Sequence, residues 1–238
     1  MREKEFLVPC KEGEDFSQHI ETSIPGYSNL IHIIESIYKT IDQSNSLVID
    51  VGTSQGDKLV RLKNITKSDN VEFLGIDPSD RFYENWSDIE HKSECIRFEN
   101  RTLMECMKLI KKKISKKRQM SMTLSLFTNQ FVSRDEDRES NIASISRMMK
   151  NQSQIYIHSE KVYLSEHRMN DTFSRLQLID KLDSYNSDDI LNKERTLHNI
   201  MRLWDRDRLE KVLNKNFSTV VPIWQYGMFV AYACINEG

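Results

Sequence analysis

VIDVGTSQGDKL, residues 48–59, runs from an apolar segment through Asp50 into a loop with glycines at 52 and 56. A phosphate-gripping Walker loop needs G-x-x-x-x-G-K-[ST]; here Lys58 stands two residues after Gly56 and no second glycine has the right offset. A dinucleotide fingerprint needs G-x-G-x-x-G, and this stretch offers only Gly52 and Gly56. With no pyrophosphate to cradle, the loop can be looser. It has to let backbone approach a neutral nucleoside and to present N–H groups to a carboxylate.

Working outward, SLVIDVG (46–52) is a nearly continuous apolar run, as a strand buried on both faces should be. VEFLGID (71–77), ECIRFEN (94–100), MTLSLF (122–127) and QIYIHS (154–159) are further strand candidates. SDRFYENWSDIEH, LMECMKLIKKKISKK and RESNIASISRMMK separate them and read as helices. Ahead of the first strand, Pro25-Gly26 makes a turn and Ser28 or Asn29 caps a helix. Its apolar positions Leu30, Ile33, Ile34, Ile37 and Ile41 should face the core.

This alternation predicts an α/β fold with a mostly parallel sheet covered by helices on both faces. The end of the chain breaks the rhythm. FSTVVPIWQYGMFVAYACI reads as two strands closing on Gly227, an antiparallel hairpin at a sheet edge. Residues 165–201 are helical and polar in pattern, and are expected to cap the strand ends where open α/β sheets bind ligands. No linker rich in Pro, Gly or Ser divides the chain, so a single domain over 20–238 is expected behind a mobile arm at 1–19.

Composition narrows the class. Hydrophobic residues make up 38% and charged residues 29%, the balance of a soluble globular protein. A net charge of −2 gives no global pull toward nucleic acid or membrane. Cys10, Cys95, Cys106 and Cys234 show no C-x-x-C pairing, and the six histidines show no metal spacing, so no metal site is expected. No apolar run is long enough to span a bilayer, and a cytoplasmic location is the expectation.

The opening loop meets the requirements of S-adenosylmethionine. Asp50 would help hold the ammonium end, directly or through water, and Gly52 would allow close approach of the amino-acid part. Asp77, ending the second strand, would accept the ribose hydroxyls by the geometry known from dinucleotide folds. Asn100 and Arg101, ending the third strand, would lie beside the adenine. The architecture resembles the Rossmann-like sheet of class I methyltransferases.

A narrower resemblance covers the chain from about residue 20 to its end. SIPGYSN (23–29), VIDVGTSQG, GIDPS, FTNQF (127–131), SEK (159–161), KERTLHNIM (193–201) and WQYGMFVA (224–231) are similar to the carboxy-S-adenosylmethionine synthase family. SIPGYSN is its most specific element. The resemblance implies ligand contacts from Tyr27, Gly52, Thr53, Ser54, Asp77, Pro78, Asn100 and Arg101, and a homodimer. It also implies a reaction in which the sulfonium methyl is carboxylated with carbon dioxide from prephenate, for tRNA wobble-uridine modification. The ligand would then be S-adenosylmethionine or its carboxylated form.

Two positions depart from the family pattern. A gap-free alignment that keeps Tyr185 and Asn199 in register places Glu194 where the family has the arginine that holds the new carboxylate, with Arg195 next to it. Leu126 replaces a family asparagine on the fourth strand. Tyr27, Glu194 and Arg195 are therefore the candidate catalytic residues. The alternatives are a true methyltransferase, with Glu194 as base or cation partner, and a non-catalytic nucleoside-binding protein.

Outside these motifs, KKKISKKRQ (111–119) is a basic cluster that suits a helix C-terminus or, less specifically, a nucleic-acid backbone. Pro9-Cys10 matches the nucleophile dipeptide of cytosine-5 methyltransferases, but lies in the expected arm. His158 and Glu160 are placed to face the pocket from the fifth strand. Lys161 and Arg168, at the start of the cap, are candidates for an anionic substrate.

Overall fold

In the computed structural model the described residues are 16–41, 43–114, 118–149, 154–182 and 185–236. Five strands run parallel at the centre: β1 (Ser46–Val51), β2 (Glu72–Ile76), β3 (Ile96–Glu99), β4 (Gln119–Leu126) and β5 (Ile155–Tyr163). A two-residue β6 (Trp204–Asp205) pairs with the end of β5, and β7 (Thr219–Tyr226) and β8 (Phe229–Ile235) form the terminal hairpin. The order across the sheet is β3-β2-β1-β4-β5-β8-β7. The hairpin folds back, so β8 lies antiparallel against β5 and β7 becomes the edge. The predicted sheet is therefore present, with β4 starting three residues earlier and β5 running four residues further than the sequence pattern suggests.

Along β1 the side chains alternate between two cores, as a strand's period of two requires. Leu47, Ile49 and Val51 face Cys106 and Ile110 of α5 (Leu103–Lys113), Ile142 and Ile145 of α6 (Asp135–Met148), and Leu209 and Leu213 of α9 (Arg206–Asn216). Val48 faces Leu30, Ile34 and Tyr38 of α2 (Tyr27–Thr40) and Leu59 and Leu62 of α3 (Asp57–Ile65). Asp50 lies on that second face. α4 (Tyr83–Lys92) covers β3, where Trp86 stacks on Phe98 with centroids 5.3 Å apart and planes within 4°.

In α2 the buried set is Leu30, Ile31, Ile34 and Tyr38, with Ile37 and Ile41 half-buried against the same core as expected; Ile31 and Tyr38 join it, and Ile33 is not part of it. The N-cap is Gly26 in the left-handed region, with no side-chain cap from Ser28 or Asn29. Glycine suits the positive φ of 76° there. By contrast α5 starts with a full capping box, Thr102 with Glu105.

The expected cap is present as α7 (His167–Leu182) and α8 (Ser187–Ile200). α1 (Phe16–Ser23) packs against α2 and α7, so the boundary expected at residue 19 falls inside a helix. The rest of that arm, including Cys10, lies outside the described residues, as do residues 115–117 of the basic cluster. Within that cluster, Lys113 and Arg118 both pair with Glu72 of β2, with Lys113 Nζ at 3.0 Å. No helix among the described residues is long and apolar enough to cross a membrane.

Candidate active site

The loops following β1, β2 and β4 and the cap close around a cavity of about 530 Å³ at the carboxyl edge of the sheet. After β1 the chain turns through Gly52 at φ 73° and Ser54 at φ 51° into Gly56, the N-cap of α3. A Cβ on Gly52 would fall 2.0 Å from Thr128 Oγ1, whose hydroxyl donates to the Val51 carbonyl at 3.1 Å. No side chain fits there, and the loop following β4 closes directly over the glycine. Gly56 and Gly75 leave room for one ring, Phe98, which would meet a Cβ on either at 2.6 and 2.5 Å respectively.

Asp77 is the centre of the second loop. Its Oδ2 accepts from Ser54 N and its Oδ1 from Ser79 N, both at 3.0 Å, so one carboxylate ties the β1 and β2 loops together. Burial pushes its pKa up, opposed by these backbone donors and by Lys58. Each oxygen keeps a further lone pair for hydroxyls in the cavity it lines. Asn100 Nδ2 donates to the Asp77 carbonyl at 3.2 Å and thus braces this loop from the side.

Of the residues proposed from sequence, Tyr27, Gly52, Ser54, Asp77, Pro78 and Arg101 line the cavity. Thr53 and Asp50 are buried behind the wall, and Asn100 acts through Asp77. Tyr27 packs against Phe127, centroids 6.3 Å apart, and burial raises its hydroxyl pKa. Phe127 itself is held at φ 53°, an uncommon conformation for an aromatic residue, and its ring also meets Trp224 and Phe229. Leu126 is buried on the cavity wall.

In the cap, Glu194 and Arg195 do not line the cavity. Arg195 is exposed, and Glu194 forms an ion pair with Lys181. What the cap sends into the cavity is a group of lysines. Lys181 and Lys193 line it together with Lys161 from β5. Lys161 Nζ donates to Gln177 Oε1 at 2.8 Å, and Lys193 Nζ donates to Ser23 Oγ at 2.5 Å and lies over the Tyr185 ring. Burial brings Lys161 down to about 8, despite Glu194. Lys181 and Lys193 were missed because each lies in a segment read as polar cap. The available signal was Ile190, Lys193 and Leu197 at one helical face, which puts a lysine on the inward stripe.

Arg168 is exposed and away from the cavity. His158 and Glu160 are fully buried and do not line it either. Glu160 Oε2 accepts from Arg138 at 2.6 Å, and Tyr156 OH meets His158 Nδ1 at 2.7 Å. Among the described residues no group of three His, Cys, Asp or Glu side chains is placed to hold a metal ion.

The loops fit an adenosyl ligand. Glycine backbone forms the wall nearest Thr128, and the Asp77 carboxylate lines the cavity beside it. Comparison with known proteins agrees. No protein-family model matches the chain. Carboxy-S-adenosyl-L-methionine synthases from Actinobacillus succinogenes and Mannheimia succiniciproducens are 26% and 27% identical, each over 98% of this chain and 91% of the relative. Among solved structures, a S-adenosylmethionine-dependent methyltransferase from Clostridium acetobutylicum superposes with a TM-score of 0.60 at 9% identity, covering 94% of this chain and 98% of that one. The N-methyltransferase NodS from Bradyrhizobium japonicum, solved with S-adenosyl-L-homocysteine, superposes at 0.56 and 7% identity, covering 93% of each chain. The chain is thus a distant relative of the carboxy-S-adenosyl-L-methionine synthases, built on the Rossmann-like fold of class I methyltransferases.

Proposed function

We propose that this protein is a transferase that binds S-adenosyl-L-methionine, or its carboxylated form, across the β1 and β2 loops and acts on a carboxylate-bearing small molecule held under the cap. Asp77 would take the ribose hydroxyls, with Pro78 and Arg101 toward the adenine. Ser54 and the Gly52 backbone would border the amino-acid part, and Tyr27 the sulfonium. When bound, the ligand supplies a methyl group activated by positive sulfur. The protein's part is to orient that methyl toward the cap and to keep water out.

The observation that carries the acceptor side is the lysine group. Lys161, Lys181 and Lys193 all line the cavity, and Glu194 is the acidic partner that the pairing shows for them. On the cap side of the cavity, three lysines against the one carboxylate of Glu194 leave a local excess of positive charge over a largely apolar space, and a mono- or dicarboxylate is the ligand such a place favours. Prephenate has this chemistry. In the carboxylating reading, prephenate would lose carbon dioxide and its ring hydroxyl and leave as phenylpyruvate; the sulfonium methyl would capture the carbon dioxide, and the proton it gives up would leave with that hydroxyl as water. The lysines would hold the new carboxylate in place of the family arginine that Glu194 replaces. The product would serve tRNA wobble-uridine modification in the cytoplasm, from a homodimer.

Leu126 and Glu194 favour a second reading, in which the same cavity methylates an acidic acceptor and never builds the carboxylated ligand. Mass spectrometry of the nucleoside released from purified protein separates the two. Carboxylated S-adenosylmethionine, and phenylpyruvate formed from added prephenate, support the first reading. Only S-adenosylmethionine or S-adenosylhomocysteine, with prephenate unchanged, supports the second. Asp77→Ala should abolish nucleoside retention in either case.

A further inference from the structure

Lys58 lies on the first turn of α3, where a cation is disfavoured by the helix dipole, and it is 11% exposed at the cavity wall. Its ammonium lies 3.2 Å from Asp50 Oδ2 and 3.4 Å from the Thr53 carbonyl. Asp50 is completely buried, and neither of its oxygens has a well-aligned hydrogen-bond partner. Burial alone would push Lys58 down; the facing Asp50 carboxylate, together with Tyr27 and Asp57, more than reverses that and keeps the lysine charged. Asp50 does not reach the cavity, whereas Lys58 does. The sequence suggested an acidic residue waiting for the ligand's amine. The structure places a built-in ammonium between that acid and the cavity.

Resting on the proposed adenosyl site, we propose that Lys58 is a specificity-determining residue that pairs with the carboxylate at the amino-acid end of the bound nucleoside, and that Asp50 is its positioning residue. The pocket then reads the ligand's carboxylate in preference to its amine. Asp50 faces the amino group only from behind the lysine. An adenosyl thioether that keeps the amine but lacks the carboxylate would meet a cation with no partner for it.

Titration calorimetry with S-adenosylhomocysteine and with S-adenosyl-3-thiopropylamine, which lacks only the carboxylate, tests this. The wild-type protein should favour the first by about 30-fold or more, the loss typical of removing one partner from a buried charge pair. Lys58→Met should bring the ratio close to one. Because that change strands Asp50, the double variant Asp50→Asn with Lys58→Met, which removes both charges, should show the same loss of preference. Asp50→Asn alone, which keeps the lysine but removes the carboxylate that positions it, should reduce the preference several-fold without abolishing it; an unchanged ratio overturns the positioning role of Asp50. A ratio left at the wild-type value in both lysine variants overturns the role of Lys58 while the adenosyl site stands. Failure of the wild type to bind either nucleoside overturns the site itself, and the inference with it.

Discussion

Arg138 and Glu160 form an ion pair at 2.6 Å with neither side chain exposed, and the guanidinium carbon lies 3.7 Å from the centre of the Trp204 ring. The same arginine donates to the Arg202 carbonyl at 2.8 Å, so it ties α6 to β5 and to the segment that leads out of the cap. Buried pairs of this kind add little net stability, but breaking one leaves a charge without compensation.

Arg138→Met should therefore lower unfolding stability by about 3–5 kcal/mol, read as a shift in denaturant midpoint. Combining it with Glu160→Gln should recover part of that loss. If the single and double variants are equally unstable, the arginine acts through Trp204 and the Arg202 carbonyl rather than through its pairing with Glu160.

Gly52 has room for hydrogen and nothing more. Gly52→Ala should reduce nucleoside affinity at least tenfold and destabilise the fold by about 1–3 kcal/mol, through a left-handed alanine and the clash with Thr128. Adding Thr128→Ser removes the methyl but keeps the hydroxyl that bonds Val51, and should restore little. Thermal shift with and without S-adenosylhomocysteine measures both effects.

Lys161 has a pKa near 8 because burial disfavours its charge. In the folded protein this value lies below the ordinary lysine range, so the charge is a burden on stability below about pH 8 that is relieved as pH rises through it. Anion binding has the opposite sign. Affinity for a carboxylate acceptor should be greatest below pH 8, where Lys161 is protonated, and fall by up to about tenfold per unit above it. Lys161→Met should remove the break near pH 8 from the pH profile of KM.

Glu194 pairs with Lys181, and that partner and Lys161 hold its pKa below the ordinary glutamate value against the effect of burial. If its part is charge balance, Glu194→Gln should tighten acceptor binding several-fold and leave kcat largely intact. A collapse of kcat with unchanged KM would instead make Glu194 the base of the methyltransferase reading.

Much of this architecture was legible before the structure. The apolar runs of β1 and β2 and the glycine-bearing loop between β1 and α3 are local patterns, and Asp77 follows from where β2 ends. Other features depend on distant pairing. That β8 enters between β5 and β7 comes from which hairpin strand finds the β5 edge, which no local period encodes. Asp50 read as a ligand contact because its position at the end of the strand suggested it; that it is fully buried and paired with Lys58, eight residues on around the turn, is set by how the loop folds. The charge of the cap was hidden for a similar reason. Lys161, Lys181 and Lys193 come from three elements and meet only in three dimensions, whereas Glu194 and Arg195 stood out as neighbours in a motif.

Trp86 gives the loop a further use. Its indole N–H donates to the Ser54 carbonyl at 2.7 Å while its ring stacks on Phe98, so one fluorophore touches both the segment that would receive a nucleoside and the layer beneath it. With Trp204 and Trp224 replaced by phenylalanine, the emission of this remaining indole becomes an intrinsic optical gauge of loop occupancy. Ligand screening would then need no label and no turnover assay.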